Sequence, residues 1–330
     1  MDVSNNEIGL LPTTTPTTTN TTDPIIKHIV IAGGGISGMI AYGALRESHS
    51  LGKWNINNIE SIYGTSAGAI VAAIISMKYE WKIIDDYIIK RPWQNVYKFD
   101  MFSIMNSFQN RGILNLKSIE EMFSPLFRGL DISLNISMLD FYEITKIELH
   151  LFATEINQFE LVDFSYKTHP NWRVVDAIYC STSLPILFSP TITEDKCYID
   201  GGFLLNYPMR ICMENVSNQD EILGLPKKGI NISNNLKSDS SLMDYLLFII
   251  HKLLSNIFLD DEGITVKNEI VIESPIAVSI YEIYIMISSA EERTKLIQRG
   301  VDIARATYGV AVSTEPTMTS DDNALNENPV

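Results

Sequence analysis

Two stretches of this sequence share one shape: a short, almost wholly apolar run, a turn of glycine and small residues, then a second apolar run of helical character. The first passes from Ile25–Ala32 through Gly33-Gly34-Gly35-Ile36-Ser37-Gly38 into Met39–Glu47. The second passes from Ile59–Tyr63 through Gly64-Thr65-Ser66-Ala67-Gly68 into Ala69–Met77. A β-branched run with hardly a polar residue suits a strand buried on both faces of a parallel sheet. Both stretches therefore predict strand, tight turn and helix.

The alternation continues down the chain. Lys146–Thr154 and Phe159–Asp163 read as strands, Val174–Ser181 as a helix, and Cys197–Ile199 as a short strand ahead of Asp200-Gly201-Gly202. Glu221–Leu225 and Glu269–Ile272 read as further strands and Ser289–Tyr308 as a closing helix. This order predicts a three-layer α/β/α domain around a mostly parallel central sheet. Residues 1–24 form a Thr-rich leader expected to be disordered, 25–312 one domain, and 313–330 a flexible tail.

A formal net charge of −15 repels nucleic-acid phosphates and leaves lipid contact to local patches. Cys180, Cys197 and Cys212 are odd in number and lack metal-ligand spacing, so neither a disulfide framework nor a zinc site is expected. No basic and apolar secretory signal is visible at the N-terminus, and polar residues interrupt Leu242–Leu259, which reads as a buried or amphipathic helix. The expected location is cytoplasmic, with peripheral contact at membranes.

Gly64-Thr65-Ser66-Ala67-Gly68 is a G-x-S-x-G pattern set between a strand and a helix, the setting of a strained nucleophile elbow, although a serine there also makes an ordinary helix cap. Gly33, Gly34, Gly35 and Gly38 let backbone N–H groups converge on an anion; Gly34 and Gly35 are the donor candidates for an oxyanion hole. Gly33, Gly35 and Gly38 also fit the dinucleotide fingerprint of flavin and nicotinamide enzymes, which expects an acid about 20 positions on at the end of the second strand. Glu60 lies near that distance but at the wrong end of its strand. Asp200, followed by Gly201 and Gly202, could take the Ser66 proton directly, or could mark a plain turn.

A histidine base would have to follow the acid, and only His251, inside an apolar helical stretch, does so. His28 precedes the first strand, and His49, His150 and His169 stand in no catalytic context. A Ser66–Asp200 dyad is the economical reading. Because an aspartate is ordinarily a weak base, it requires a dry, apolar cleft that raises its pKa.

These blocks resemble the patatin-like phospholipase family. Beside the two glycine turns and Asp200-Gly201-Gly202, the stretch Val174–Pro190 resembles the helix and proline-bearing loop before the acid, and Asn206-Tyr207-Pro208 the continuation after it. The likeness covers Ile25–Pro208 well and Ser289–Thr307 more loosely. It implies a Ser66 nucleophile, an Asp200 base, main-chain oxyanion donors, no metal or other cofactor, and release of fatty acid from phospholipid or other acyl-ester lipids. One departure is Ser37, where many members carry Arg or Lys.

Between the second helix and Asn110, basic residues alternate with aromatic ones, and Trp93 with Arg91 is expected to meet a lipid surface. Ordinary core packing is the competing expectation there. Two other function classes stand beside the hydrolase: an FAD- or NAD-binding oxidoreductase and a non-catalytic lipid-binding module.

Overall fold

The computed structural model describes residues 24–230, 236, 238, 240–257, 264–275 and 280–311, so all but the last residue of the leader (1–24) and the whole of the tail (313–330) lie outside the described residues. The strands are β1 (His28–Ile31), β2 (Ser61–Thr65), β3 (Gly112–Leu114), β4 (Glu148–Glu155), β5 (Glu160–Phe164), β6 (Ile186–Phe188), β7 (Thr191–Ile192), β8 (Cys197–Asp200), β9 (Ile222–Leu225), β10 (Lys227–Ile230), β11 (Asn268–Glu269) and β12 (Ile272–Pro275). The helices are α1 (Ser37–Ser50), α2 (Ala67–Ser76), α3 (Trp81–Lys90), α4 (Met101–Asn110), α5 (Leu116–Gly129), α6 (Met138–Thr145), α7 (Val174–Thr182), α8 (Met209–Asn215), α9 (Leu242–Ile257), α10 (Ile280–Ser288) and α11 (Ala290–Thr307).

One sheet runs in the order β11-β9-β1-β2-β4-β8-β7, with β5 also paired to β4. Its first five strands are parallel to one another, and β5 and β8 join β4 antiparallel, as β7 joins β8. The central sheet is thus mostly parallel, as the buried apolar runs require. Strand periodicity sorts its side chains into two cores. Ile29, Ile31, Ile62, Leu149 and Leu151 join the large core that includes residues of α1, α2, α5 and α7. Val30, Ala32, Tyr63 and Phe152 point the other way, into a smaller core with Met209 and Cys212 of α8. The sheet therefore carries a thick helical layer on one face and a thin one on the other.

Helices α1 and α11 meet through glycines. A Cβ at Gly43 would stand 2.1 Å from the Ile297 carbonyl oxygen, and one at Gly300 would stand 2.0 Å from that of Ile40. Only bare backbone on both sides permits so close a crossing, and it anchors the helix that begins at the first glycine turn.

Residues 269–272 do not form a single strand. Asn268–Glu269 pairs with β9 in the main sheet, whereas Ile272–Pro275 pairs with β10 in a separate two-stranded sheet. Pro226 separates β9 from β10; lacking an N–H, it interrupts the ladder, and the neighbouring segment breaks in step. Among the described residues no helix is long and apolar enough to cross a membrane.

Candidate active site

The register explains how distant motifs meet. His28–Ile31 of β1 lie beside Ser61–Gly64 of β2 in parallel, so both glycine turns emerge at the same end of adjacent strands. Strand β8 ends there too: Asp200 lies opposite Ala153 of β4, the other neighbour of β2.

Ser66 occupies the sharp bend between β2 and α2 with φ 55° and ψ −124°, a left-handed backbone that a serine adopts only under constraint. The flanking glycines are steric requirements. A Cβ at Gly64 would come 2.6 Å from the Gly68 carbonyl oxygen, and a Cβ at Gly68 would come 2.4 Å from that of Ile31. The bend is held from outside as well, because the Ser66 N–H donates to Ser181 Oγ at 3.1 Å.

The Ser66 hydroxyl donates to Asp200 Oδ2 at 2.6 Å, and the other carboxylate oxygen accepts the Gly202 N–H at 2.8 Å. The Asp200 N–H in turn donates to the Ser183 carbonyl at 3.0 Å, so the end of α7 steadies both residues. Gly201 lies flat against β4; a Cβ there would stand 2.1 Å from the Phe152 carbonyl oxygen. Asp200 is only 4% exposed. Burial pushes its pKa up to about 6, against the lowering effects of the Ser66 hydroxyl and the Gly202 N–H. A carboxylate so raised, bonded to a serine hydroxyl, can accept that proton.

Gly33, Gly34, Gly35 and Gly38 all line the cavity that Ser66 and Asp200 face, but they do not play one part. The Gly33 N–H donates to the Asn206 carbonyl at 2.9 Å and the Gly38 N–H to the Gly35 carbonyl at 3.0 Å, so neither is available to an incoming oxyanion. The N–H groups of Gly34 and Gly35 have no acceptor among the described residues. Gly35, at φ 59°, makes the turn possible, and Ser37 closes it by donating its hydroxyl to the Gly34 carbonyl at 3.0 Å. Gly33 sits where a Cβ would come 3.0 Å from Ser66 Cβ, which brings this turn against the nucleophile candidate.

The cavity has a volume of about 710 Å³ and a largely apolar wall that includes Met39, Ile70, Ile74, Trp93, Leu184 and Leu247. No histidine among the described residues lines it. His28 is bonded to Ser61, His49 to Trp81, His150 to Asp163 and His169 to Thr168, each occupied elsewhere. Glu60 reaches back to Lys27 at 3.6 Å, ahead of β2 and at the opposite end of the strand from the glycine turns, so the ribose contact of a dinucleotide site is missing.

Trp93 does not stand at the surface as expected, and Arg91 is half-buried. Trp93 is 3% exposed and donates its indole N–H to the Ile88 carbonyl at 2.7 Å. Arg91 bonds to Tyr87 and, at 2.8 Å, to the Glu121 carbonyl. The cation here stacks on Trp93 and ties α3 to α5, a packing role that alternation of basic and aromatic residues cannot distinguish from an interfacial one. The most exposed apolar side chains of this region are Met101, Met105 and Phe108 of α4, the last 83% exposed. Ser181 was not singled out by the sequence. Its only signal is its place in the polar cluster Ser181-Thr182-Ser183 at a helix end shortly before Pro185.

The chain is 28% identical over 186 residues to an uncharacterized protein, R571, of Acanthamoeba polyphaga mimivirus (56% of this chain, 61% of that one). It is 26% identical over 188 residues to the probable lipid hydrolase 463L of Invertebrate iridescent virus 6 (57% and 63%). The match thus spans somewhat under two thirds of either relative. In fold it is similar to VipD from Legionella pneumophila, with a TM-score of 0.50 at 16% identity, covering 86% of this chain and 66% of that one. The family model for patatin-like phospholipase matches residues 29–213, from β1 through both glycine turns and Asp200 into α8, which is more than half of the sequence. With that span matched and its motifs gathered at one end of the sheet, the chain belongs to the patatin-like phospholipase family.

Proposed function

We propose that this protein is a serine lipid acyl hydrolase of the phospholipase A or lysophospholipase type, with Ser66 as nucleophile, Asp200 as base and residues 25–312 as the catalytic unit. The observation that carries the reading is the 2.6 Å hydrogen bond from the Ser66 hydroxyl to the buried Asp200 carboxylate. Ser66 Oγ attacks the acyl carbonyl carbon while its proton passes to Asp200. The negative charge that develops on the carbonyl oxygen is met by the Gly34 and Gly35 N–H groups, each donor contributing on the order of 3 kcal/mol. When the tetrahedral intermediate collapses, the alcohol leaves with the proton from Asp200 and the acyl chain remains on Ser66. Water then attacks the acyl-enzyme, giving its proton to Asp200. The second collapse frees the fatty acid and returns the proton to Ser66.

The apolar wall serves two ends in this scheme: it accepts the acyl chain, and it supplies the low-dielectric surroundings that raise the Asp200 pKa. The test is fatty acid release from phospholipid micelles by wild type, Ser66→Ala and Asp200→Asn, together with mass spectrometry of the protein after a fluorophosphonate probe. Wild-type turnover should persist in a chelator, both variants should lose it, and the probe should map to Ser66. Undiminished turnover by both variants would refute the assignment.

For contact with a membrane, the reading assigns the α4 face that carries Met101, Met105 and Phe108. Replacing all three by serine should weaken sedimentation with liposomes while sparing hydrolysis of a soluble short-chain ester. Unchanged sedimentation removes α4 from the proposal.

A further inference from the structure

The cavity beside Ser66 contains a cation that the mechanism above does not use. Among the described residues that line it, the charged ones are Asp200, Glu269 and Lys227. Asp200 is bonded to Ser66 and Gly202, and Glu269 accepts hydrogen bonds from the Tyr207 hydroxyl and the Val266 N–H, both at 3.3 Å. Lys227, the first residue of β10, makes no side-chain hydrogen bond or ion pair with any described residue.

Its methylene stem lies along the first glycine turn. A Cβ built on Gly34 would come 2.7 Å from Lys227 Cδ and 3.3 Å from Cε, so the stem fills the room a side chain there would need. The next residue back, Gly33, is the one that abuts Ser66. The stem of Lys227 therefore packs against the same turn whose Gly34 and Gly35 N–H groups have no acceptor among the described residues, and Gly33 of that turn adjoins Ser66.

Lys227 is half-buried, and desolvating an ammonium without a partner among the described residues is costly: burial lowers its pKa to about 8. An anion arriving at this point removes that cost. The chain carries a net charge of −15, yet among the described residues no carboxylate pairs with this lysine. We infer that Lys227 binds the phosphate of a glycerophospholipid whose acyl ester lies at Ser66, and so separates phospholipids from neutral acyl esters. In such a lipid the phosphate and the scissile ester are joined by the short glycerol backbone, so one molecule can reach both groups. A fatty acid has its carboxylate at the reacting carbon and cannot engage both at once. The inference rests on the hydrolase reading for its substrate, and its test is arranged to be separable from that reading.

Binding is measured to Ser66→Ala protein, which does not turn over, using a short-chain diether phospholipid, the corresponding diether glycerol and inorganic phosphate. The phospholipid should bind more tightly than the diether glycerol. Adding Lys227→Met should remove about 10- to 100-fold of affinity for the phospholipid, the loss of one hydrogen bond between charged groups, while Lys227→Arg retains most of it. In otherwise wild-type protein, Lys227→Met should lower the ratio of kcat/KM for phospholipid over diacylglycerol by a similar factor. Equal weakening of both diether ligands, or of neither, overturns the inference. So does inorganic phosphate that binds as tightly as the phospholipid, which would make free phosphate the ligand. Fatty acid release by the wild type is judged separately, so failure of the hydrolase reading cannot be mistaken for failure at Lys227.

Discussion

The acid limb of the pH profile tests the coupling between burial and catalysis most directly. Asp200 has to be ionised to accept the Ser66 proton, and its burial raises its pKa from 3.8 to about 6. With that value about 9% of the enzyme is competent at pH 5 against about 99% at pH 8, so kcat/KM should fall roughly tenfold between them. Were the carboxyl to keep its ordinary 3.8, about 94% would still be competent at pH 5 and the profile would be nearly flat. The assay is initial-rate hydrolysis of a short-chain diacylglycerol, which has no titrating group, with circular dichroism confirming that the protein stays folded. A flat profile down to pH 5 refutes the argument that the apolar cleft raises the base. The same shift has a consequence for stability. A pKa raised on folding stabilises fully below 3.8 and loses that contribution as pH climbs through about 6, leaving the ionised carboxylate to cost roughly 3 kcal/mol at higher pH. Asp200→Asn should accordingly abolish turnover while raising the thermal midpoint at pH 8, a trade typical of a strained site.

Three further expectations follow from the surroundings of the dyad. Ser181→Ala leaves the Ser66 N–H without its partner, and should cost about 1–3 kcal/mol and at least roughly tenfold in kcat with little change in KM; unaltered kcat would show that the elbow holds itself. Gly300→Ala forces α11 away from α1, and should lower stability by about 1–3 kcal/mol in urea titration, whereas an unshifted midpoint would mean that the crossing is loose. At His150, burial opposes charging the ring, but its hydrogen bonds to Asp163 and Glu148 outweigh that and hold the pKa above 6.5. Its contribution is complete below pH 6.5 and fades as pH rises through the folded value, so the urea midpoint should decline as pH rises above 6.5, and His150→Gln should flatten that decline.

Strands β1, β2, β4, β5, β8 and β9, the two glycine turns and the serine and aspartate were legible in the sequence because each is a local requirement. An unbroken apolar run must be covered on both faces, and a strand that turns sharply into a helix needs residues without Cβ at positions such as Gly64 and Gly68. The order of those blocks was enough to suggest a sheet with its motifs at one end. What each group touches depended on which elements pack together, and no local pattern encodes that. Gly33 and Gly34 look alike in sequence, yet only tertiary packing brings Asn206 against the first and leaves the N–H of the second without an acceptor among the described residues. Trp93 and Arg91 look interfacial until the fold buries the indole and ties the guanidinium to carbonyls of α5. The hold of Ser181 on the elbow and the packing of Lys227 against the first turn arise from residues more than a hundred positions away from the motifs they meet. Local sterics thus chose the backbone, and long-range burial decided which polar groups were already satisfied and which were left for a substrate.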